Sequence, residues 1–150
     1  LLQTLKDPVT RVKIDAINSL GMIGDKRAIP PLISLLENQD RDIRWFAASS
    51  LGLLEAKEGV QPLIQTLKDK DPEVRAKTAD VLGMIKDEKA VKPLLRLLKD
   101  KDEEVRIEAI SSLAKMGKTE AIKPLQELMK GEKDEKVKRE IKRTLKKLRA

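Results

Sequence analysis

Apolar residues return along the chain at a fixed interval of 31 residues. Leu1, Leu32, Leu63, Leu94 and Leu125 hold one place in the pattern, and Leu20, Leu51, Leu82 and Leu113 hold another. Val12, Ile43, Val74 and Val105 form a third series, and Leu5, Leu36, Leu67, Leu98 and Met129 a fourth. Between them the residues are mostly polar, so each unit has an apolar stripe too narrow to be buried by the unit alone. Such units must stack on their neighbours, which predicts a solenoid.

Within a unit the pattern predicts two helices. In the third unit the first runs from about Glu58 to Lys68, with Val60, Leu63, Ile64 and Leu67 at helical spacing and Pro62 near its start. The second opens at Asp71-Pro72-Glu73, an N-cap followed by proline and an acid in the first turn. Asp40, Asp102 and Asp134 occupy the same capping place; in unit one it is Val9, so Thr10 is expected to cap instead. Links such as Asp69-Lys70 are short enough to make consecutive helices antiparallel neighbours.

The run Asp71-Pro72-Glu73-Val74-Arg75, followed by Ala79, Leu82-Gly83, Ile85, Asp87 and Ala90-Val91-Lys92-Pro93-Leu94, resembles the short HEAT-like repeat named after phycobilisome lyases. The resemblance extends over essentially the whole chain. It implies an all-α, right-handed α-α superhelix of five antiparallel helix pairs, the first pair truncated. The units fall at about 1–24, 25–55, 56–86, 87–117 and 118–150 of a single HEAT-like domain. It further implies that second helices line the concave face, and that Arg44, Arg75 and Arg106, with Lys13 and Lys138, form a ladder with acids of adjacent units. A phosphate-binding role for that ladder is the alternative. The run Lys99-Asp100-Lys101-Asp102-Glu103-Glu104 is expected to be a solvated turn and a capped helix start.

Composition narrows the chemistry. The 150 residues include no Cys, no His and no Tyr, one Trp and one Phe. Thiol nucleophiles, imidazole catalysis, Cys or His metal sites and disulfides are excluded, so no enzyme, cofactor or metal is expected. No apolar run suits a membrane span or signal segment, which makes the cytoplasm the expected location and a membrane partner unexpected. The chain lacks an initiator Met and starts inside the first helix of a unit, as expected of a piece of a longer protein. High Lys and Glu with scarce Asn and Gln resemble heat-adapted compositions.

Candidate function lies on the side of each second helix opposite the stripe. Advancing about 100° per residue from Ile43 gathers Ala47, Ser50, Leu51 and Leu54 on the buried side and sets Trp45, Ser49 and Leu53 opposite, with Phe46 flanking. The same places hold Ile14 and Met22 in unit one, Lys77 and Met84 in unit three, and Ile107 in unit four. These nine residues vary from unit to unit while the stripe is kept, which fits a surface adapted to a protein or peptide. Trp45 is open to two readings, a binding residue or a packing residue that stiffens the superhelix.

Charge supplies a second candidate. Residues 131–150 carry nine Lys/Arg against four Asp/Glu, so most of the net charge of +7 lies there. Arg139, Arg143, Lys146 and Lys147 are the candidate anion-binding residues, and nucleic acid is the alternative partner. Opposing this are the absence of aromatics among them and of a phosphate loop. Lys142 and Lys146 replace the small or apolar flank of earlier units, so the array is expected to close there with a polar cap. The resemblance leaves a phycobilin-lyase-like subunit as a further alternative. The leading expectation is a non-catalytic scaffold that binds a protein or peptide on its concave face.

Overall fold

A computed structural model describes all 150 residues, and it is entirely helical. A 3-10 turn at Gln3–Lys6 stands in place of the first helix of unit one. The helices that follow are α1 (Thr10–Ile23), α2 (Ile29–Leu35), α3 (Arg41–Leu53), α4 (Val60–Thr66), α5 (Pro72–Ile85), α6 (Val91–Leu97), α7 (Glu103–Lys115), α8 (Ile122–Gly131) and α9 (Glu135–Arg149). Odd numbers are the second helices of the units and even numbers the first. The even helices are each entered through a 3-10 turn, such as Lys57–Gly59 before α4. Pro62 and its equivalents sit in the first turn, where an amide N–H would have no partner.

Four second helices are capped by aspartate. The Asp71 carboxylate accepts from the amides of Glu73 and Val74, Asp102 and Asp134 act alike, and Asp40 accepts from the Asp42 amide alone. The expectation for unit one is corrected: Val9 is the N-cap residue and Thr10 supplies no cap. Instead Asp7 Oδ1 accepts from the Val9 amide at 2.8 Å, one residue too early to serve the helix itself.

The second helices stack side by side along the array, each on the next, while each first helix packs on its own partner. One continuous core results, running from Leu5 to Ile141. Small residues set the approach of successive second helices. A Cβ placed on Gly21 would lie 2.8 Å from Ser50 Oγ, one on Gly52 2.9 Å from Val81 Cγ2, and one on Gly83 2.5 Å from Ser112 Oγ. The close approach lets Ser50 Oγ donate to the Ile17 carbonyl at 3.0 Å and Ser112 Oγ to that of Ala79 at 2.8 Å.

Buried ion pairs tie the same interfaces. Arg44 meets Asp69 at 2.6 Å, Arg75 meets Asp100 at 2.8 Å and Arg106 meets Glu132 at 2.9 Å. Each guanidinium also donates to two backbone carbonyls at the turn of its own unit. This corrects the solvated reading of the charged turn at Lys99–Glu104: Lys99 and Lys101 are exposed, but the Asp100 side chain is only 11% exposed. The one-residue insertion near Gly131 is absorbed by a longer α8, and Glu132 takes the aspartate's place. In the first interface the corresponding residues are Lys13 and Asn38, a pair that forms no ion bridge.

Candidate functional site: the second-helix face

The expected buried stripe of α3 is in place, with Ile43, Ala47, Ser50, Leu51 and Leu54 all buried. Turned away from it, Leu53 is 52% exposed, Met84 46% and Met22 81%. These three hold one repeat position on three neighbouring helices, so they form an apolar row across the array. Lys115 and Lys147 continue that row on α7 and α9. Ile14, Ser49 and Ile107 are half-buried beside it.

Trp45 and Phe46 are both half-buried and meet edge to face, with ring centroids 4.9 Å apart. Phe46 packs on the core. Trp45 is covered from the next unit by Lys77, whose Nζ lies 4.9 Å from the ring centroid. Such a cation over an indole contributes about 0.5–1 kcal/mol at an exposed site. Trp45 thus braces α3 against α5, while its half-buried ring keeps part of its surface exposed.

Around Trp45 a shallow cavity of about 220 Å³ is lined mainly by acids: Glu73, Asp80, Glu104 and Glu108, with Lys77. Asp80 is bridged by Lys115 at 2.7 Å and by Lys77 at 3.3 Å. Burial opposes its ionisation, but the Lys115 hydrogen bond and both ammonium charges outweigh this and hold its carboxyl below the usual range. Glu108 has the opposite fate. Its burial, reinforced by the charge on Asp80, pushes its carboxyl up despite the two nearby lysines.

A second cavity, of about 550 Å³, opens at the C-terminal ends of the second helices. Gly52 and Leu53 of α3, Gly83 and Met84 of α5, Lys115 of α7 and Lys147 of α9 line it, with Glu55 and Lys86. Packed helices lie about 8–10 Å apart, so α3 and α9 on a flat sheet would be too distant to share one cavity. Their sharing it means that the row of second helices curls inward, and this face is concave.

The basic candidates are divided by the fold. Arg139, Arg143 and Lys147 are exposed at helical spacing along one side of α9, where Arg143 lies 3.7 Å from Glu140. Lys146 faces a different cavity, with Lys142, Leu145, Arg149 and Ala150. The four do not form one anion site. No group of three or more acidic side chains is arranged to hold a metal ion, and no helix is long and apolar enough to cross a membrane.

Two features of this face are not marked by residue type alone. Asp80 is its electrostatic centre, and Lys86 enters it only because the chain turns at the end of α5. The 31-residue spacing offered a signal for the second, since Lys86 occupies the place of Gly24 and Gly117, where the backbone bends out of the helix.

Stacked helix pairs, a continuous core and a curled row of second helices define an α-α superhelix of the helical-repeat class. The family model for HEAT repeats matches residues 1–65 and 60–146. The chain belongs to the HEAT repeat family. Among solved structures it is similar to the complex of CpcE and CpcF of phycocyanin lyase from Nostoc sp., at 24% identity and a TM-score of 0.84, over 98% of this chain and 63% of that one. This chain thus spans less than two thirds of that relative. It is also similar to a designed armadillo repeat protein in complex with the peptide (KR)4, at 20% identity and a TM-score of 0.71, over 98% of this chain and 80% of that one. A computationally designed armadillo repeat protein for modular peptide recognition aligns at 20% identity with a TM-score of 0.66, over 97% of this chain and 79% of that one. At these identities the likeness concerns the fold. No curated protein matches the chain.

Proposed function

We propose that the chain is a non-catalytic interaction scaffold, one repeat domain over residues 1–150, whose second-helix face docks a protein or peptide. The observation that carries this reading is the row of Met22, Leu53 and Met84, three exposed apolar side chains in register on adjacent helices. A helical solenoid can bury such residues without difficulty at its stripe positions; a row of them left in water is costly unless a partner covers it. Trp45, Phe46, Ser49, Ile14, Lys77 and Ile107 flank the row and vary from unit to unit, as the walls of a partner site do. The similar designed proteins, one made for modular peptide recognition and one in complex with the peptide (KR)4, support the same use of such a face. The phycocyanin lyase likeness, at 24% identity, concerns the fold alone, so it does not lead this reading.

A random 12-residue peptide library selected on the wild type tests it. Enriched peptides are expected to lose about tenfold or more in affinity on a Leu53→Ser, Met84→Ser variant and to be unaffected by Gln61→Ala, Gln65→Ala on the opposite side. Peptides that bind both variants equally, or a selection that enriches none, would overturn the proposal.

A further inference from the structure

The two cavities of the second-helix face differ in charge, and the difference selects among partners. Around Trp45, four carboxylates face a single Lys77, and that lysine already covers the indole. At the helix ends, Lys86, Lys115 and Lys147 face a single Glu55 across the apolar floor of Leu53 and Met84. Lys115 is held by Asp80, but no carboxylate lies within 4.0 Å of Lys86 or Lys147. Two free ammonium groups thus stand beside two half-exposed apolar side chains. A ligand satisfies both only if it carries anionic groups, such as carboxylates, close to apolar ones.

We propose that this cavity takes an acidic, apolar peptide segment, with its apolar side chains on Met22, Leu53 and Met84 and its carboxylates on Lys86 and Lys147. The proposal rests on the docking reading above and adds the chemistry and direction of the partner. Direction follows from the row itself, which passes from apolar in units one to three to basic in units four and five. The apolar half of the segment lies toward α1 and the acidic half toward α9. Acids placed the other way would stand over the apolar Met22 and Leu53 and leave Lys147 without a partner. With helices about 8–10 Å apart and a polyproline-II segment rising about 3.1 Å per residue with three residues per turn, one ligand side chain in three reaches a rung on the same side. A nucleic acid would satisfy the lysines but leave the apolar floor uncovered, and the one large aromatic near it is already occupied by Lys77.

Fluorescence anisotropy with four labelled probes tests this. Two are peptides of about 12 residues with Leu at every third position of the first half and either Glu or Lys through the second half. The third is the Glu peptide with its Leu replaced by Ser, and the fourth is a single-stranded oligo-dT of matching length. The Leu/Glu peptide is expected to bind, to weaken with salt, and to lose about tenfold or more on a Lys86→Glu, Lys147→Glu variant. Glutamate is already accommodated at the place equivalent to residue 86, since Glu55 has φ 48° and Lys86 φ 57°. Circular dichroism confirms that the variant is folded. Equal or tighter binding of the Leu/Lys peptide, of the Ser/Glu peptide or of oligo-dT, an unchanged affinity on charge reversal, or no Leu/Glu binding would overturn the inference. Leu/Lys binding that still needs Leu53 and Met84 would leave the docking reading standing and remove only its charge selectivity.

Discussion

Arg75 shows how a polar residue can hold a solenoid together. Its side chain is 8% exposed, and it donates to Asp100 and to the carbonyls of Asp69 and Lys70, so one guanidinium joins three segments. Removing one member of such a buried pair leaves the other uncompensated, and Arg75→Ala is expected to destabilise by about 3 kcal/mol in denaturant titration. Burial alone would raise the Asp100 carboxyl, but the Arg75 hydrogen bond and the Asp102 amide hold it low. Glu132 is held low in the same way: the Asp134 amide and the Arg106 bond outweigh its burial. A depressed folded value gives stability above the unfolded value and loses it as pH falls through the folded one. Acid should therefore weaken the wild type below about pH 4, and Arg75→Ala should lose less stability on acidification than the wild type does. Glu108 has the opposite sign, because burial and Asp80 raise its carboxyl. Its contribution is full below the unfolded value and lost as pH rises through the raised one. Glu108→Gln is expected to raise the melting temperature at pH 7 and to leave it unchanged at pH 3; a lower melting temperature at pH 7 would contradict the burial argument.

Among the elements, α9 departs from the pattern, for a reason visible at one contact. Where earlier second helices present Gly21, Gly52 and Gly83 to their successors, α7 presents Ala114 to α9. Thr144 stands at the place of Ser50 and Ser112, yet its buried hydroxyl finds no partner, whereas both serines reach a carbonyl of the preceding helix. Ala114 adds a methyl group at the place where the three earlier helices have glycine. Thr144→Val should therefore be neutral or stabilising by up to about 1 kcal/mol, while Ser112→Ala should destabilise by about 1 kcal/mol; calorimetry of the two variants compares them directly. The helices themselves were legible from the chain, since the 31-residue period, the aspartate caps and the α3 stripe depend only on local spacing. The exposed row was legible too, because it lies opposite that stripe. What spacing did not reveal was burial created by a neighbouring unit. Asp100 sits in a run of charges and is indistinguishable there from its solvated neighbours until Arg75, 25 residues earlier, folds onto it. A trace of that pairing does exist in the chain: Asp69 and Asp100 recur with Arg44 and Arg75, and where the arginine becomes Lys13 the acid becomes Asn38. The Lys77 contact with Trp45 left no such trace, because neither residue repeats.

For the whole molecule, stability in a stacked array is close to a sum of unit and interface contributions, so cooperativity depends on the weakest link. The α5–α7 interface carries the Arg75–Asp100 pair, the Ser112 bond to Ala79, the Lys115–Asp80 bridge and the tightest helix approach. At Gly83 an added Cβ would lie 2.8 Å from the Cα of Ser112, which is backbone and cannot rotate away. Gly83→Val must therefore push α7 off α5 and break these bonds together, while units one to three and units four and five each keep their internal packing. Trp45, the single tryptophan, lies in the first block against Phe46 and Lys77 and reports chiefly on it, and circular dichroism reports on all helices. In the wild type the two signals are expected to melt together, as a single cooperative transition requires. In Gly83→Val they should separate, the fluorescence following units one to three and the remaining helical signal changing at another temperature. Coincident transitions in the variant, merely shifted downward, would mean that the core running from Leu5 to Ile141 couples the units without help from this interface.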